Sequence, residues 1–412
     1  MINRVKLAPD EYMQGYKYKL YPTKEQAEFF DNCINLDRYI YNWTIETQTK
    51  QFELYKSGKT NKPFIKYNKM TNMLSDLKRE YDFVDTIPTA SARSGIKKAD
   101  FAYSMYFDNL NNKPKFRTKK RDRKKSYFTR SERTYLFDDK FQIEGLPGKF
   151  VSINYNTGYY SDKNKKEFYN VIISKDSVGD YYISYKVKRK KKLEYMNKDI
   201  NTDIQENISI GIDMNKEKRV QLSNGLYYVG PNLTKEFRQL KRLRRKISKD
   251  RKRYNDLINN QEITNPESKF DIPISKRAEK RKQRFRKINK RIKYKNKNFV
   301  INTAKNIVSL KPEKGFVLES LNFTDMVKDN HRMSKHMAFT NLGALRDKVV
   351  ELCMVYNIPV TYANTYYPSS KTCSNCGHIH NQLGSSRIFI CPYCGYKIDR
   401  DLNAAINLSR LA

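Results

Sequence analysis

Hydrophobic and polar positions change period several times along the chain, and each change predicts a new element. Residues 15–21, GYKYKLY, alternate with the period of two expected of a strand with one buried face. Pro22 ends that run, and Thr23 followed by Gln26 reads as a capping box opening a helix. From 24 to 110 the apolar residues recur at helical spacing, with Pro63 and Pro88 marking breaks between helices. Residues 134–190 return to alternation in KFVSINYN, EFYNVIIS and DYYISYKVK, with Gly and Asn/Asp turns between them. That pattern predicts antiparallel hairpins. The expected arrangement is a small β-barrel closed by the strand at 15–21, with the helices inserted into it.

A polar linker at 191–206 precedes a second pattern. ISIGIDMN (208–215) is a short buried-strand run that carries Asp213. KRVQLSNGLYYVG follows, and its Asn224 and Gly225, which tolerate positive φ, predict a hairpin, so three strands come in sequence. Residues 234–309 form a cationic helical segment. Leu240, Leu243, Ile247, Tyr254 and Leu257 keep one face, and Phe285, Ile288, Ile292, Phe299 and Ile307 keep another. The intervening NNQEITNPESKFDIP reads as a loop, so the segment is a helical hairpin. GFVLESLN (315–322) is a fourth strand, ending in Glu319. A helix near 339–356, a fifth strand in IPVTYAN and a last helix in DLNAAINLSRLA complete the chain.

Composition adds a partner to this picture. Of 412 residues, 38% are hydrophobic and 13% aromatic, enough for cores in two or three domains. Lys and Arg number 82 against 44 Asp and Glu, a formal charge of +38. A low-GC genome enriches Lys, but it does not make cations outnumber acids nearly two to one. The excess predicts a polyanionic partner, nucleic acid first. Candidate contacts are Lys119 and Arg121 in the basic run at 113–133, Arg242, Arg244 and Arg245, and Arg284, Arg286 and Arg291. A solvated helical face is the competing reading of each run. No window approaches the roughly 18 apolar residues of a membrane span, and the N-terminus lacks an apolar signal core, so a cytoplasmic protein without a membrane partner is expected.

The cysteines and acids supply candidate chemistry. Cys373-x2-Cys376-x14-Cys391-x2-Cys394 presents two knuckles, each followed by a glycine, Gly377 and Gly395. Four thiolates suit the closed tetrahedral geometry of one structural Zn²⁺. Two redox-active pairs are the alternative, but the βαβ context of that chemistry is missing. Asp213, Glu319 and Asp401 taken singly read as a turn residue, a surface acid and a helix cap. Together they mark strand one, strand four and the last helix of a strand-strand-strand-helices-strand-helix-strand-helix order, which is RNase H-like topology. Three such carboxylates can hold two Mg²⁺ ions about 3.5–4 Å apart for in-line attack on a phosphodiester. Hard oxygen donors suit Mg²⁺ and thiolates suit Zn²⁺, so the two metals have separate sites.

The segments GIDMN (211–215), VLESLN (317–322) and YYPSSKTCSNCG…CPYCG…DRDLNAAINL (366–408) resemble TnpB, a family of transposon-encoded RNA-guided nucleases related to type V CRISPR effectors. YKYKLYPTKEQ and KPKFRTKKRDR near the N-terminus are also similar to that family. The resemblance implies a multidomain α/β protein. A wedge β-barrel would comprise 1–22 and 112–206, and an α-helical recognition lobe 23–111. A RuvC-like nuclease domain would comprise 207–366 and 399–412, interrupted by a zinc ribbon at 367–398. It implies a transposon-derived guide RNA and target double-stranded DNA as partners of a monomeric protein in a 1:1 ribonucleoprotein. The catalytic acids carry over as Asp213, Glu319 and Asp401, with Asp401 preferred to Asp399, and Asn403 and Arg387 assist. Lys66, Lys69, Asn72 and Lys78 fall on the helix expected to read a short motif beside the target. Asn215 stands where the family commonly has Gly, and Leu342 roughly where it has an aromatic; neither removes an acid. A guided DNA-binding repressor without cleavage and a DDE-type transposase are the rival readings. The transposase would place Glu, not Asp, on the last helix.

Overall fold

The structure, a computed structural model, describes residues 7–119, 125–137, 139–153, 168–190, 208–215, 218–264, 275–320, 341–364, 366–384 and 386–412, with backbone alone at 260–264. The chain divides into two units, Met1–Lys190 and Lys191–Ala412. The polar stretch at 191–206 and Arg121 lie outside the described residues.

In the first unit, β1 (Glu11–Tyr21) is central because both its edges are paired. The other strands are β2 (Ser126–Phe128), β3 (Tyr135–Phe137), β4 (Lys140–Gln142), β5 (Phe150–Ile153), β6 (Tyr169–Lys175) and β7 (Tyr181–Lys190). They form one antiparallel sheet in the order β2-β6-β7-β1-β5-β4-β3. The expected hairpins are present. Among the described residues no pairing joins edge strands β2 and β3 to close a barrel. β1 begins four residues before the predicted strand, since its pairing with β7 runs on to Glu11 opposite Lys190. Those extra residues lack apolar alternation, and it is the backbone partner that extends them.

Four helices sit between β1 and β2: α1 (Lys24–Lys56), α2 (Tyr67–Glu80), α3 (Asp82–Asp85) and α4 (Thr89–Phe107). The capping box forms as read, with Gln26 N donating to Thr23 Oγ1 at 3.3 Å and Thr23 N to Gln26 Oε1 at 3.1 Å. The same Gln26 amide donates to the carbonyls of Pro147 and Phe150, so the cap also pins α1 to the sheet.

The second unit holds a five-stranded sheet of β8 (Ile210–Asp213), β9 (Val220–Leu222), β10 (Tyr227–Tyr228), β11 (Phe316–Glu319) and β12 (Val360–Ala363). Its order is β10-β9-β8-β11-β12; β8 to β10 are antiparallel, while β8, β11 and β12 run parallel. The parallel strands β8 and β11 are buried on both faces, which is why IGID and FVLE read as nearly continuous apolar runs. Gly225 takes φ +88° in the predicted β9–β10 turn.

α5 (Thr234–Thr264) and α6 (Lys276–Val308) form the helical hairpin, packed through Leu233, Leu240, Ile288 and Ile292. Arg281 grips Asp250 with two bonds of 2.6 and 2.7 Å, and Lys295 reaches Glu236 at 2.6 Å. Leu257, assigned by its spacing to the packed face, is exposed instead. α7 (Leu342–Tyr356) precedes β12, and α8 (Arg400–Ser409) follows the two-stranded ribbon β13 (Ile388–Ile390) and β14 (Lys397–Asp399). No helix among the described residues is long and apolar enough to cross a membrane.

Candidate active site and thiolate cluster

Asp213 and Glu319 are the last residues of β8 and β11, adjacent parallel strands paired with Leu318 opposite Ile212. Parallel pairing in this register puts both carboxylates at one end of the sheet. The third acid arrives on α8, which lies on β8. Ala405 and Leu408 of α8 are fully buried, and a Cβ added at Gly211 would run into the Ala405 carbonyl and lie 2.6 Å from Ser409 N. Glycine is therefore what lets the helix backbone touch the strand. Ser209 Oγ donates to the Ser409 carbonyl, which fixes the antiparallel sense of the crossing. From Ser209 to Asp213 the extended chain climbs ~13 Å, and from Ser409 back to Asp401 the helix climbs ~12 Å. The two rises match, so Asp401 comes level with Asp213.

The electrostatics agree with that convergence. Burial is the main cause that pushes the Asp213 carboxyl up to about 7, and the negative charges of Glu319 and Asp401 add to it. An Asn215 hydrogen bond to Asp213 Oδ2, 3.1 Å long, and the Arg400 cation pull the other way. Asn215 Oδ1 also accepts from Lys218 N at 2.9 Å, so one side chain holds both Asp213 and the backbone at Lys218.

Asp399 and Asp401 divide two jobs that the DRD triplet leaves open in the sequence. Asp399 is the N-cap of α8, accepting from the backbone N–H groups of Asp401 and Leu402 at 3.1 Å each. It also pairs with Lys218 at 2.8 Å. Burial opposes its ionisation, but the Lys218 ammonium and the two N–H groups outweigh it and hold the carboxyl below its usual value. The cap role offered for Asp401 thus belongs to Asp399, and Asp401 occupies the first helical turn beside Asp213.

Asn403 and Asn407, one turn apart on α8, are both buried. Asn403 Oδ1 accepts from Ser374 N at 2.9 Å and its amide donates to the Thr372 carbonyl at 2.7 Å. Asn407 donates to the carbonyls of Thr372 and Ser369 at 2.6 and 2.8 Å. The Asn403 amide therefore fastens the root of the first knuckle to the helix. Ser369, which no sequence signal singled out, donates to Glu319 Oε1 at 2.5 Å. The Arg387 side chain is exposed, and its carbonyl accepts from Arg400 N at 2.8 Å.

The four predicted cysteines come together, with all Sγ atoms within 4.8 Å of one another. Cys373 and Cys394 approach to 3.7 Å, and Cys376 and Cys391 to 3.6 Å. A tetrahedron of Zn–S bonds has edges of ~3.8 Å, so the donor set fits one zinc ion. Cys33 and Cys353 are buried elsewhere as core thiols.

Of the candidate nucleic-acid contacts, Lys66, Lys69, Asn72, Lys119, Arg242, Arg244, Arg245, Arg284, Arg286 and Arg291 are exposed. Lys78 is half-buried and engaged with Asp85 at 2.7 Å and Thr89 at 3.1 Å. Arg286 pairs with Glu279 at 3.3 Å.

Known proteins resemble this chain along most of its length. Residues 343–408 match the family model described as Cas12f1-like, TNB domain, and residues 13–59 match a helix-turn-helix domain of the IS605 OrfB type. In this chain the latter span is β1 and one continuous helix, α1. A putative RNA-guided DNA endonuclease of Streptomyces pristinaespiralis is 21% identical over 399 residues, covering 96% of this chain and 88% of the relative. The TnpB-like protein L79 of Acanthamoeba polyphaga mimivirus is 24% identical over 430 residues, covering 98% of this chain and 74% of the relative. Among solved structures, the Cas12f1–sgRNA–target DNA complex superposes with a TM-score of 0.52 at 14% identity, covering 94% of this chain and 83% of that one, a likeness of fold. Family models thus match near both ends of the chain, and the RNA-guided endonuclease and TnpB-like relatives align along nearly its whole length, so the likeness to TnpB read from the sequence motifs extends over most of the chain.

Proposed function

We propose that the protein is a transposon-type RNA-guided DNA endonuclease that hydrolyses phosphodiester bonds at a single RuvC-like centre. The observation that carries the reading is the convergence of Asp213, Glu319 and Asp401 from three elements onto one end of a 3-2-1-4-5 sheet. In a chain carrying +38, Asp213 is buried beside two further acids whose charges add to the cost of ionising it, and a bound cation removes that cost. The named relatives, an RNA-guided DNA endonuclease and TnpB-like proteins, support the same activity here.

The three carboxylates would hold two Mg²⁺ ions. Those ions supply positive charge at both the attacking and the leaving oxygen of an in-line displacement. The chain's own residues set the stage. Gly211 admits α8 against β8, Asp399 caps the helix so that Asp401 is not consumed as the cap, and Asn215 braces Asp213. The thiolate cluster would hold one Zn²⁺ and fix the ribbon at 367–398. The remaining assignments extend the reading: a wedge barrel at 1–22 and 112–206, a recognition lobe at 23–111, and nuclease segments at 207–366 and 399–412.

The partners are a transposon-derived guide RNA and a double-stranded DNA target, in a 1:1 ribonucleoprotein. The exposed arginines of α5 and α6 would track phosphates while base pairing reads sequence. A guided repressor would not need the three acids. The deciding experiment is Asp213→Ala in the purified ribonucleoprotein. Cleavage in Mg²⁺ is expected to vanish while guided DNA binding persists; a variant that still cuts refutes the acid assignment.

A further inference from the structure

We propose that Ser369 is a positioning residue for Glu319, and that the root of the thiolate knuckle, gripped by α8, holds it in place. The inference rests on reading Glu319 as a metal ligand. Ser369 is buried, and its hydroxyl donates to Glu319 Oε1 at 2.5 Å. Glu319 is the last residue of β11, so its backbone fixes only the root of a side chain with three rotatable bonds. A hydrogen bond to one oxygen selects a rotamer and sets the carboxylate plane. The donor is also neutral. A lysine or arginine there would orient Glu319 equally well, but its charge would compete with a divalent cation. A hydroxyl orients the group and leaves its charge for the metal.

Ser369 is itself held from behind. Its carbonyl accepts from Asn407, and the same Asn407 amide, with that of Asn403, binds the Thr372 carbonyl. Thr372 Oγ1 closes the segment on the Pro368 carbonyl at 2.9 Å, and Cys373, a thiolate of the cluster, comes next. One helix thus carries both Asp401 and the two amides that set the height of Ser369. Through that serine, α8 and the knuckle root reach Glu319 on a different strand. The sequence separation of Ser369 and Glu319, 50 residues, hides this link from any local motif.

The test uses the full-length protein with its copurified RNA and two readouts. One is Mn²⁺ affinity by EPR titration without DNA; the other is the Mg²⁺ concentration for half-maximal cleavage. Ser369→Ala is expected to weaken Mn²⁺ binding about 10-fold and to raise the Mg²⁺ requirement by a similar factor. Zinc content and guided DNA binding should stay at wild-type values. Ser369→Thr, which keeps the hydroxyl, should stay near wild type. Wild-type cation dependence in Ser369→Ala overturns the proposal, and so does equal impairment in the Ala and Thr variants. If Ser369→Ala does not fold, Ser369→Cys replaces it, being nearly the same size but a far weaker donor. Weakened cation binding in Ser369→Cys then supports the proposal, and wild-type cation dependence overturns it. Glu319→Gln separates this inference from the reading beneath it. An active Glu319→Gln removes both. An inactive Glu319→Gln beside a normal Ser369→Ala removes only the role of Ser369.

Discussion

The thiolate cluster draws its donors from residues 373–394, whereas the acid cluster draws them from positions 213, 319 and 401. The first is nearly a local structure. Two tight turns, with Gly377 N bonded to the Cys373 carbonyl and Gly395 N to the Cys391 carbonyl, bring the sulfurs to tetrahedral spacing without help from the sheet. The second has no local support. It exists only because β8 and β11 pair in register and because α8 sits flush on Gly211. Thiolate spacing can therefore survive changes that scatter the acids. The reverse does not hold, since the knuckle root is tied to α8 by Asn403 and Asn407.

Gly211→Val should break the acid cluster alone. A side chain there strikes the backbone of α8, so cleavage is expected to fall below detection while zinc stays at one ion per chain. An active Gly211→Val variant would show that the helix contact does not place Asp401. Cys391→Ser should damage both centres: zinc lost by elemental analysis, the C-terminal segment opened to proteolysis, and cleavage reduced at least 10-fold through the shared root. Full zinc content in that variant would sink the four-cysteine ligand set.

Asp213→Asn sharpens the comparison from the side of stability. The folded carboxyl sits at about 7, above its ordinary 3.8, so the fold favours the neutral form. Between those values the native state binds the extra proton, and the metal-free protein loses stability as pH rises through about 7. Removing the charge should raise Tm of the metal-free protein by about 5 °C at pH 8, with the gain shrinking toward pH 5. A gain independent of pH would disconnect Asp213 from its neighbours. The smallest effect is expected for Asp399→Ala. Loss of the α8 cap costs about 1 kcal/mol. Tm should fall by ~2–4 °C with most cleavage retained. Complete loss of activity would instead make Asp399 part of the metal site.

Much of this layout is legible in the one-dimensional pattern. The capping box at Thr23, the turn at Gly225, the four cysteines and the strand-end acids each rest on short-range chemistry. Other features resist sequence reading for a physical reason. Asp399 and Asp401 have the same side chain at the same helix start; in the fold Asp399 caps the helix and is also paired with Lys218, 181 residues before it. Asn403 sits in a motif read for its chemistry, and its partners, the Ser374 N–H and the Thr372 carbonyl, come from a segment that no local pattern pairs with it. Leu257 keeps helical spacing yet is exposed, since spacing fixes a face and not what lies against it. Lys78 on α2 pairs with Asp85, whose approach depends on how α2 turns into α3.

The element types, the paired cysteines and the acids at the strand ends are written in the chain itself, because periodicity, turn chemistry and donor hardness act over a few residues. Tertiary structure alone decided which aspartate caps and which faces Asp213, how Glu319 is oriented, and that the knuckle and the last helix share one polar clamp. Those outcomes depend on contacts between segments far apart in the chain, and no local pattern encodes which backbone comes to lie against which.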